Sequence, residues 1–245
     1  MRYKLIIEYN GYSFSGWQKQ KQSSNSIQAA IENAIFLFTG TRVELYCSGR
    51  TDAGVHAIGQ VAHCDLEVEY TLETIRNALN FYLKSIPIVI LNVSIVDNTF
   101  HARFSAKKRY YEYRIINRDV RIVLGSGYAW YVMEPINIDI MNRAAQYLIG
   151  QNNLSSFRSK DCQVRNPIKT IDSINIVKKI DHIYITISAI SFLYKQVRII
   201  VGTLIDFGKR NTNPHEMFNI ITQCKRSAAG MTAPPYGLYL VKIDY

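Results

Sequence analysis

In the stretch Ser48-Gly49-Arg50-Thr51-Asp52-Ala53-Gly54-Val55-His56-Ala57, two glycines bracket one cation and one carboxylate set two residues apart. Gly49 and Gly54 let the backbone turn sharply with no Cβ penalty. Strand-like sequence lies on either side, so the segment reads as a displayed loop. If residues 50–52 are extended, Arg50 and Asp52 point to one side, because side chains alternate with a period of two. An arginine and a carboxylate would then face one cleft, with Asp52 as nucleophile or base. The plain alternative is a surface turn with a local ion pair, which is worth little.

A second arginine bears on the same carboxylate. Arg198 lies in Gln196-Val197-Arg198-Ile199-Ile200-Val201, among Leu193, Val197, Ile200, Val201 and Leu204 of a helical pattern apolar nearly all round. A guanidinium buried there needs an anion, since an unpaired buried charge is strongly destabilising. Pairing also holds the partner carboxylate ionised. Asp52 and Asp206, further along the helix, are the two candidates, and snorkelling of Lys195 or Arg198 to solvent is a third arrangement.

Tyrosine is abundant, at seventeen residues, and Tyr110-Tyr111-Glu112-Tyr113 follows directly on Lys107-Lys108-Arg109. Rings beside cations suit RNA, because an unstacked base lies on a ring while cations hold the phosphates. The alternative is a strand whose residues pack into two faces, preferred for Tyr113. His56 and His63 have no matching acid or cysteine set, so both read as packing residues. Trp17 either lines an RNA path or anchors the first loop.

The elements that must position these groups follow from periodicity. Tyr3 to Tyr9 reads as a strand, Ser26 to Phe38 as a helix, Arg42 to Cys47 and His56 to Asp65 as strands, Thr71 to Leu83 as a helix and Ile88 to Asp97 as a strand. The helices carry apolar stripes at i, i+3, i+4 spacing, Ile27, Ala30, Ile31, Ala34, Ile35 and Phe38 in the first, and Leu72, Ile75, Leu79, Tyr82 and Leu83 in the second. Ser26 and Thr71 are their caps. The order β-α-β-β-α-β matches a ferredoxin-like unit.

The second half repeats it, with strands at Arg109 to Ile116, Thr170 to Val177 and His182 to Ala189. Helices read at Ile138 to Ile149 and at Phe192 to Phe207, the latter stopping at Gly208, with a last strand at Leu238 to Ile243. Asn213-Pro-His-Glu216 opens an added helix, with Asn213 as cap, Pro214 at N1 and Glu216 at N3. The fold expected is therefore α+β, in two tandem ferredoxin-like halves at 1–104 and 105–245. The irregular stretches Gly11 to Asn25, Asp119 to Asn137 and Gln151 to Lys169 are places for substrate loops.

Composition narrows the partner. With 245 residues and 48% hydrophobic content the chain has material for a substantial core. Its longest apolar runs stop far short of the roughly 18 residues a membrane span needs, and no signal-peptide pattern opens it, so a cytoplasmic protein with no membrane association is expected. Cys47, Cys64, Cys162 and Cys224 form no C-x-x-C pair and suit inert thiols. No metal site is expected. The net charge is +10; residues 1–104 hold nine Lys+Arg against nine Asp+Glu, and residues 105–245 hold twenty against ten. A polyanion bound through the second half is the natural partner, with salt-dependent binding.

The string 48–57, together with Gly16-Trp17-Gln18-Lys19-Gln20, Phe100-His101-Ala102-Arg103-Phe104-Ser105-Ala106, Val197-Arg198-Ile199-Ile200-Val201-Gly202 and Gly237-Leu238-Tyr239-Leu240-Val241, resembles the tRNA pseudouridine synthase A family along nearly the full chain. The resemblance implies sheets joined across a central cleft and a homodimeric enzyme that converts uridine to pseudouridine at positions 38, 39 and 40 of the tRNA anticodon stem-loop. It implies Asp52 as the catalytic residue, acting by attack at C1′ or by removal of a ribose proton, with Arg198 as its partner. Tyr111 falls on the tyrosine that stacks on the target uracil, though Tyr110 precedes it. Arg50 falls on the arginine that helps extrude the nucleotide. No cofactor is implied, which agrees with the lack of a Walker A loop or a G-x-G-x-x-G turn. Near Pro87 the family's Pro-x-Asp pattern is missing. The competing class is a non-catalytic RNA-binding module on the same fold; a phosphoesterase is disfavoured by the missing carboxylate cluster.

Overall fold

A computed structural model of the chain describes residues 1–20 and 25–245. Residues 21–24, in the irregular segment Gly11 to Asn25, lie outside the described residues. The chain divides into two compact units, residues 1–107 with 239–245, and residues 108–238. It is an α+β fold, and the sheet in each unit is mixed.

In the first unit, chain order runs β1 (Arg2–Tyr9), α1 (Ile27–Thr39), β2 (Tyr46–Cys47), β3 (His56–Asp65), α2 (Leu72–Leu83) and β4 (Ile88–Ile95). β1 lies between β4 and β3, antiparallel to both. Its alternate residues Tyr3, Leu5, Ile7 and Tyr9 are buried, as the two-residue period requires. Ser26 caps α1 by accepting from the Ala29 amide, and Gly40 ends it at φ 74°, its N–H donating to the Phe36 carbonyl. Thr71 caps α2. Its buried residues are Ile75, Leu79 and Leu83, while Leu72 and Tyr82 of the expected stripe lie at the surface.

β2 is shorter than the Arg42 to Cys47 strand expected from sequence. The reason is local: the Leu45 amide donates to Glu32 and its carbonyl accepts from Gln28, so α1 side chains take the bonds a ladder would have used.

The second unit contains β5 (Lys108–Asn117), β6 (Trp130–Val132), α3 (Ile138–Gln146), β7 (Gly150–Asn153), β8 (Ile168–Lys179), β9 (His182–Ala189), α4 (Gln196–Arg210) and α5 (Glu216–Gln223). Its strands run β5-β9-β8-β7, with β6 parallel to β5. The three-residue β6 and the polar β7, Gly-Gln-Asn-Asn, show no apolar alternation, so both fall in stretches read from sequence as irregular.

Gly208 does not stop α4, which continues to Arg210. The glycine is there because a Cβ would come within 2.7 Å of Ile136 and 2.9 Å of Met141. α5 also begins later than Asn213 implies. The Glu216, Met217 and Phe218 amides each donate three residues back, a tight turn that precedes the helix. The final strand β10 (Leu238–Asp244) joins the first unit's sheet, parallel to β3, pairing Tyr239 with His56 and Leu240 with Ala57.

Candidate active site

The 48–56 loop is fixed from beneath by buried polar side chains. Gln60 of β3 accepts from the Ser48 hydroxyl at 2.8 Å and donates to the Gly49 carbonyl at 2.8 Å. The Tyr9 and Thr51 hydroxyls share a hydrogen bond of 2.8 Å. His56 accepts from the Gly11 amide through Nδ1 at 3.2 Å and stacks on Tyr239, with ring centroids 4.7 Å apart. Each buried polar group thus has a partner, so the loop cannot shift without leaving one unsatisfied.

Residues 11–17 grip the same loop by backbone. A Cβ on Gly11 would lie 1.9 Å from the Val55 carbonyl oxygen. Gly16, at φ +104°, would place one 2.8 Å from the Thr51 oxygen and 3.1 Å from the Ala53 nitrogen. The Trp17 amide donates to the Thr51 carbonyl at 3.1 Å, and the indole is 1% exposed. Of the two readings of Trp17, the anchor is correct. Gly54 takes φ 78°, closing a turn in which the Val55 amide donates to the Asp52 carbonyl at 3.2 Å. Asp52 is half-buried at the head of that turn and Arg50 is exposed before it.

In the second unit, β5 sorts the tyrosines by parity. Arg109, Tyr111 and Tyr113 share one face, while Tyr110 and Glu112 take the other. Tyr113 is fully buried, donates to the Pro234 carbonyl at 2.7 Å, and its hydroxyl is held well above the usual tyrosine range by burial, next by the nearby Tyr236, with the Arg198 charge opposing. Tyr111 packs edge-on against Phe192 at 5.3 Å. On this face of the strand, Tyr111 is two residues from a ring that senses the Arg198 charge.

Arg198 projects from the first turns of α4. Its Nε donates to the Ala233 carbonyl at 2.8 Å, and the Ala233 amide donates back to the Arg198 carbonyl at 3.0 Å. The 230–233 strip lies so close to α4 that a Cβ on Gly202 would sit 1.9 Å from the Met231 oxygen. Asp206 lies against Gly230, where a Cβ would be 2.6 Å from its Oδ2. The structure therefore brings Arg50 and Asp52 together in one loop of the first unit, and sets Tyr111 and Arg198 in the second.

Other expectations sort plainly. His56 and His63 are packing residues, each 2% exposed. His63 accepts from the Ala102 amide, and burial, aided by the Arg2 charge, pulls it down to about 4. Asn80 clasps the Ile90 backbone from both sides, a structural role. Burial pushes the Cys47 and Cys64 thiols up to about 12, so both are unreactive.

The Lys107-Lys108-Arg109 group is not a free phosphate cradle. Arg109 is buried and donates to the Ile190 carbonyl, and Lys108 pairs with Asp172 at 3.1 Å. The exposed cations of this unit include Lys160, Arg165, Lys179, Arg210 and Lys225. Sequence reasoning missed Tyr9, Gln60 and Gly11 as supports of the loop. A glycine at 11 beside a polar turn was the one signal available for them. Among the described residues no group of three His, Cys, Asp or Glu side chains is placed to hold a metal ion, and no helix is long and apolar enough to cross a membrane.

Comparison with known proteins matches the chain to a family described as tRNA pseudouridine synthase, over residues 5–105 and 144–245. Among its relatives, the tRNA pseudouridine synthase A of Wolbachia pipientis wMel is 67% identical over the whole of both chains. The proteins of the same name from Ehrlichia chaffeensis and Anaplasma phagocytophilum are 55% and 48% identical, again over the whole of both. Likeness of this extent, running through the loop and the elements that grip it, makes the chain a member of the tRNA pseudouridine synthase A family.

Proposed function

We propose that the protein isomerises uridine to pseudouridine at positions 38, 39 and 40 of the tRNA anticodon stem-loop, with Asp52 as the catalytic residue. The observation that carries this is likeness along the whole chain, at 67% and 55% identity, to proteins named tRNA pseudouridine synthase A. The rigid mounting of the Asp52 loop supports it, because chemistry at one sugar carbon demands a carboxylate held in place.

The target base must leave its stack, at a cost of a few kcal/mol. Arg50, exposed on the loop, occupies the vacated place. Asp52 opens the N-glycosidic bond, by attack at C1′ or by taking a ribose proton, and either step needs the ionised carboxylate. The freed uracil stays against the Tyr111 ring, turns, and rejoins through C5 as the sugar's bond to Asp52 is broken or its lost proton is restored; C5 releases its proton and N1 takes one up. Arg198 is the arginine that the family resemblance assigns to Asp52 as its partner. Atoms are conserved throughout.

The reading includes tandem ferredoxin-like halves, supported in the first unit by the strand order β4-β1-β3 with β2 on β3. It includes a cytoplasmic homodimer, for which Val123 and Leu124, 69% and 90% exposed, offer apolar surface.

The test is tritium release from tRNA transcripts labelled at uridine C5. Wild type is expected to release label, and Asp52→Ala to lose at least about 1,000-fold in rate while still binding tRNA. Binding without release by wild type would leave an RNA-binding module in place of the enzyme.

A further inference from the structure

We propose that the turn at residues 101–105 presents a stacking subsite for an unpaired nucleobase of the tRNA, with the Phe104 ring as platform and Arg103 beside it. The inference rests on the tRNA reading above and adds a contact that the catalytic loop does not supply.

The turn is built to hold an aromatic ring out of the protein. Phe104 is 76% exposed, yet Ala102, two residues earlier, is fully buried. The Ser105 amide donates to the His101 carbonyl at 2.9 Å, and the His101 amide donates to the Ser105 hydroxyl at 3.0 Å. His101 Nδ1 accepts from the Arg103 amide at 3.1 Å and the Phe104 amide at 3.4 Å. Beneath them the Ala102 amide is bound to His63 and its carbonyl to the Tyr245 hydroxyl. A ligand meeting this turn has little order left to impose, which favours binding.

A single exposed phenylalanine is ordinary. Here the ring continues a strip: Phe104 to His101 at 4.4 Å, then His101 to Tyr46 at 5.7 Å, with Tyr46 41% exposed and its hydroxyl on Glu44. The Arg103 guanidinium stands 5.6 Å from the Phe104 centroid. Burial lowers the His101 pKa, so its ring offers an uncharged face at neutral pH. Aromatic rings joined to an arginine are the chemistry that takes up a stacked base with its phosphate.

The strip also lies next to the loop. Tyr46 and Cys47 lead directly into Ser48, and the Cys47 thiol senses the charges of both Arg50 and Arg103. A nucleotide splayed from the anticodon loop would be received there while its neighbour is turned over to Asp52.

The experiment measures the affinity of wild type, Phe104→Ala, Phe104→Leu and Phe104→Trp for a fluorescein-labelled anticodon stem-loop RNA, with tritium release from labelled tRNA read on the same proteins. Expected is a Kd raised about tenfold in the Ala and Leu variants and restored by Trp, with Tm unchanged. Arg103→Ala should also reduce the slope of log Kd against log salt by about 0.7. A Phe104→Ala Kd within about twofold of wild type, or a Leu variant as tight as wild type, overturns the subsite. Wild type that binds without releasing tritium sinks the synthase reading, while the affinity ratios still decide the subsite. Wild type that binds no RNA sinks both.

Discussion

The two units hold their candidate residues by opposite means. In the first, the 48–56 loop has no regular secondary structure before β3 and is gripped by backbone at Gly11, Gly16 and Trp17 and by the side chains of Tyr9 and Gln60. In the second, Tyr111 and Arg198 stand on a strand and a helix whose regular geometry aims them. The first arrangement tolerates almost no change of residue type at its supports. The second is specified by parity and packing, and tolerates any change that keeps them.

The largest test of this contrast is Gly16→Val. A branched side chain at φ +104°, with its Cβ 2.8 Å from the Thr51 oxygen, must push the loop away. Catalysis is expected to fall about 100-fold, since displacing a catalytic group by about 1 Å costs that much, and the urea midpoint should drop by an amount equal to about 1–3 kcal/mol. Unchanged turnover would mean that the first segment does not set the loop.

In the second unit the corresponding test is Tyr111→Leu beside Tyr110→Leu. Loss of the stacking ring should lower kcat/KM about tenfold for position 111, with Tyr111→Phe near wild type and position 110 nearly silent. Equal losses at 110 and 111 would break the parity argument.

The effect with the least bearing on turnover is on stability. His63 is held near pKa 4 in the fold, against 6.5 when free. The fold thus favours the neutral ring; that stabilisation is complete above pH 6.5 and drains away as pH falls toward 4. It amounts to something on the order of 2–3 kcal/mol. Denaturant melts across that window should be steeper in pH for wild type than for His63→Gln, with turnover at pH 7.5 little altered by the substitution. Parallel profiles would remove His63 from the account.

The same contrast explains what the sequence makes legible. The 48–57 loop is readable because its glycines and charges have few other uses, and β3 is readable from His56 to Asp65 because small and apolar residues recur through it with no proline. The exclusion of Tyr110 from the face of Tyr113 needs only the strand. What could not be read were arrangements decided by distant partners. The bonds from Gln28 and Glu32 shorten β2, the crowding of Ile136 and Met141 explains Gly208 inside a helix, and Ile190 takes the guanidinium of Arg109 out of the basic group. Each depends on a contact that no local pattern encodes.

The pairing of β10 with β3 bears on how the protein is made. Tyr239, which seats the His56 ring at the foot of the loop, leaves the ribosome long after β1 and β3. Until then, one edge of β3 at His56 and Ala57 waits unpaired, and a strand edge left open invites the wrong neighbour. A nascent chain stalled anywhere before Tyr239 would carry an Asp52 loop without its floor.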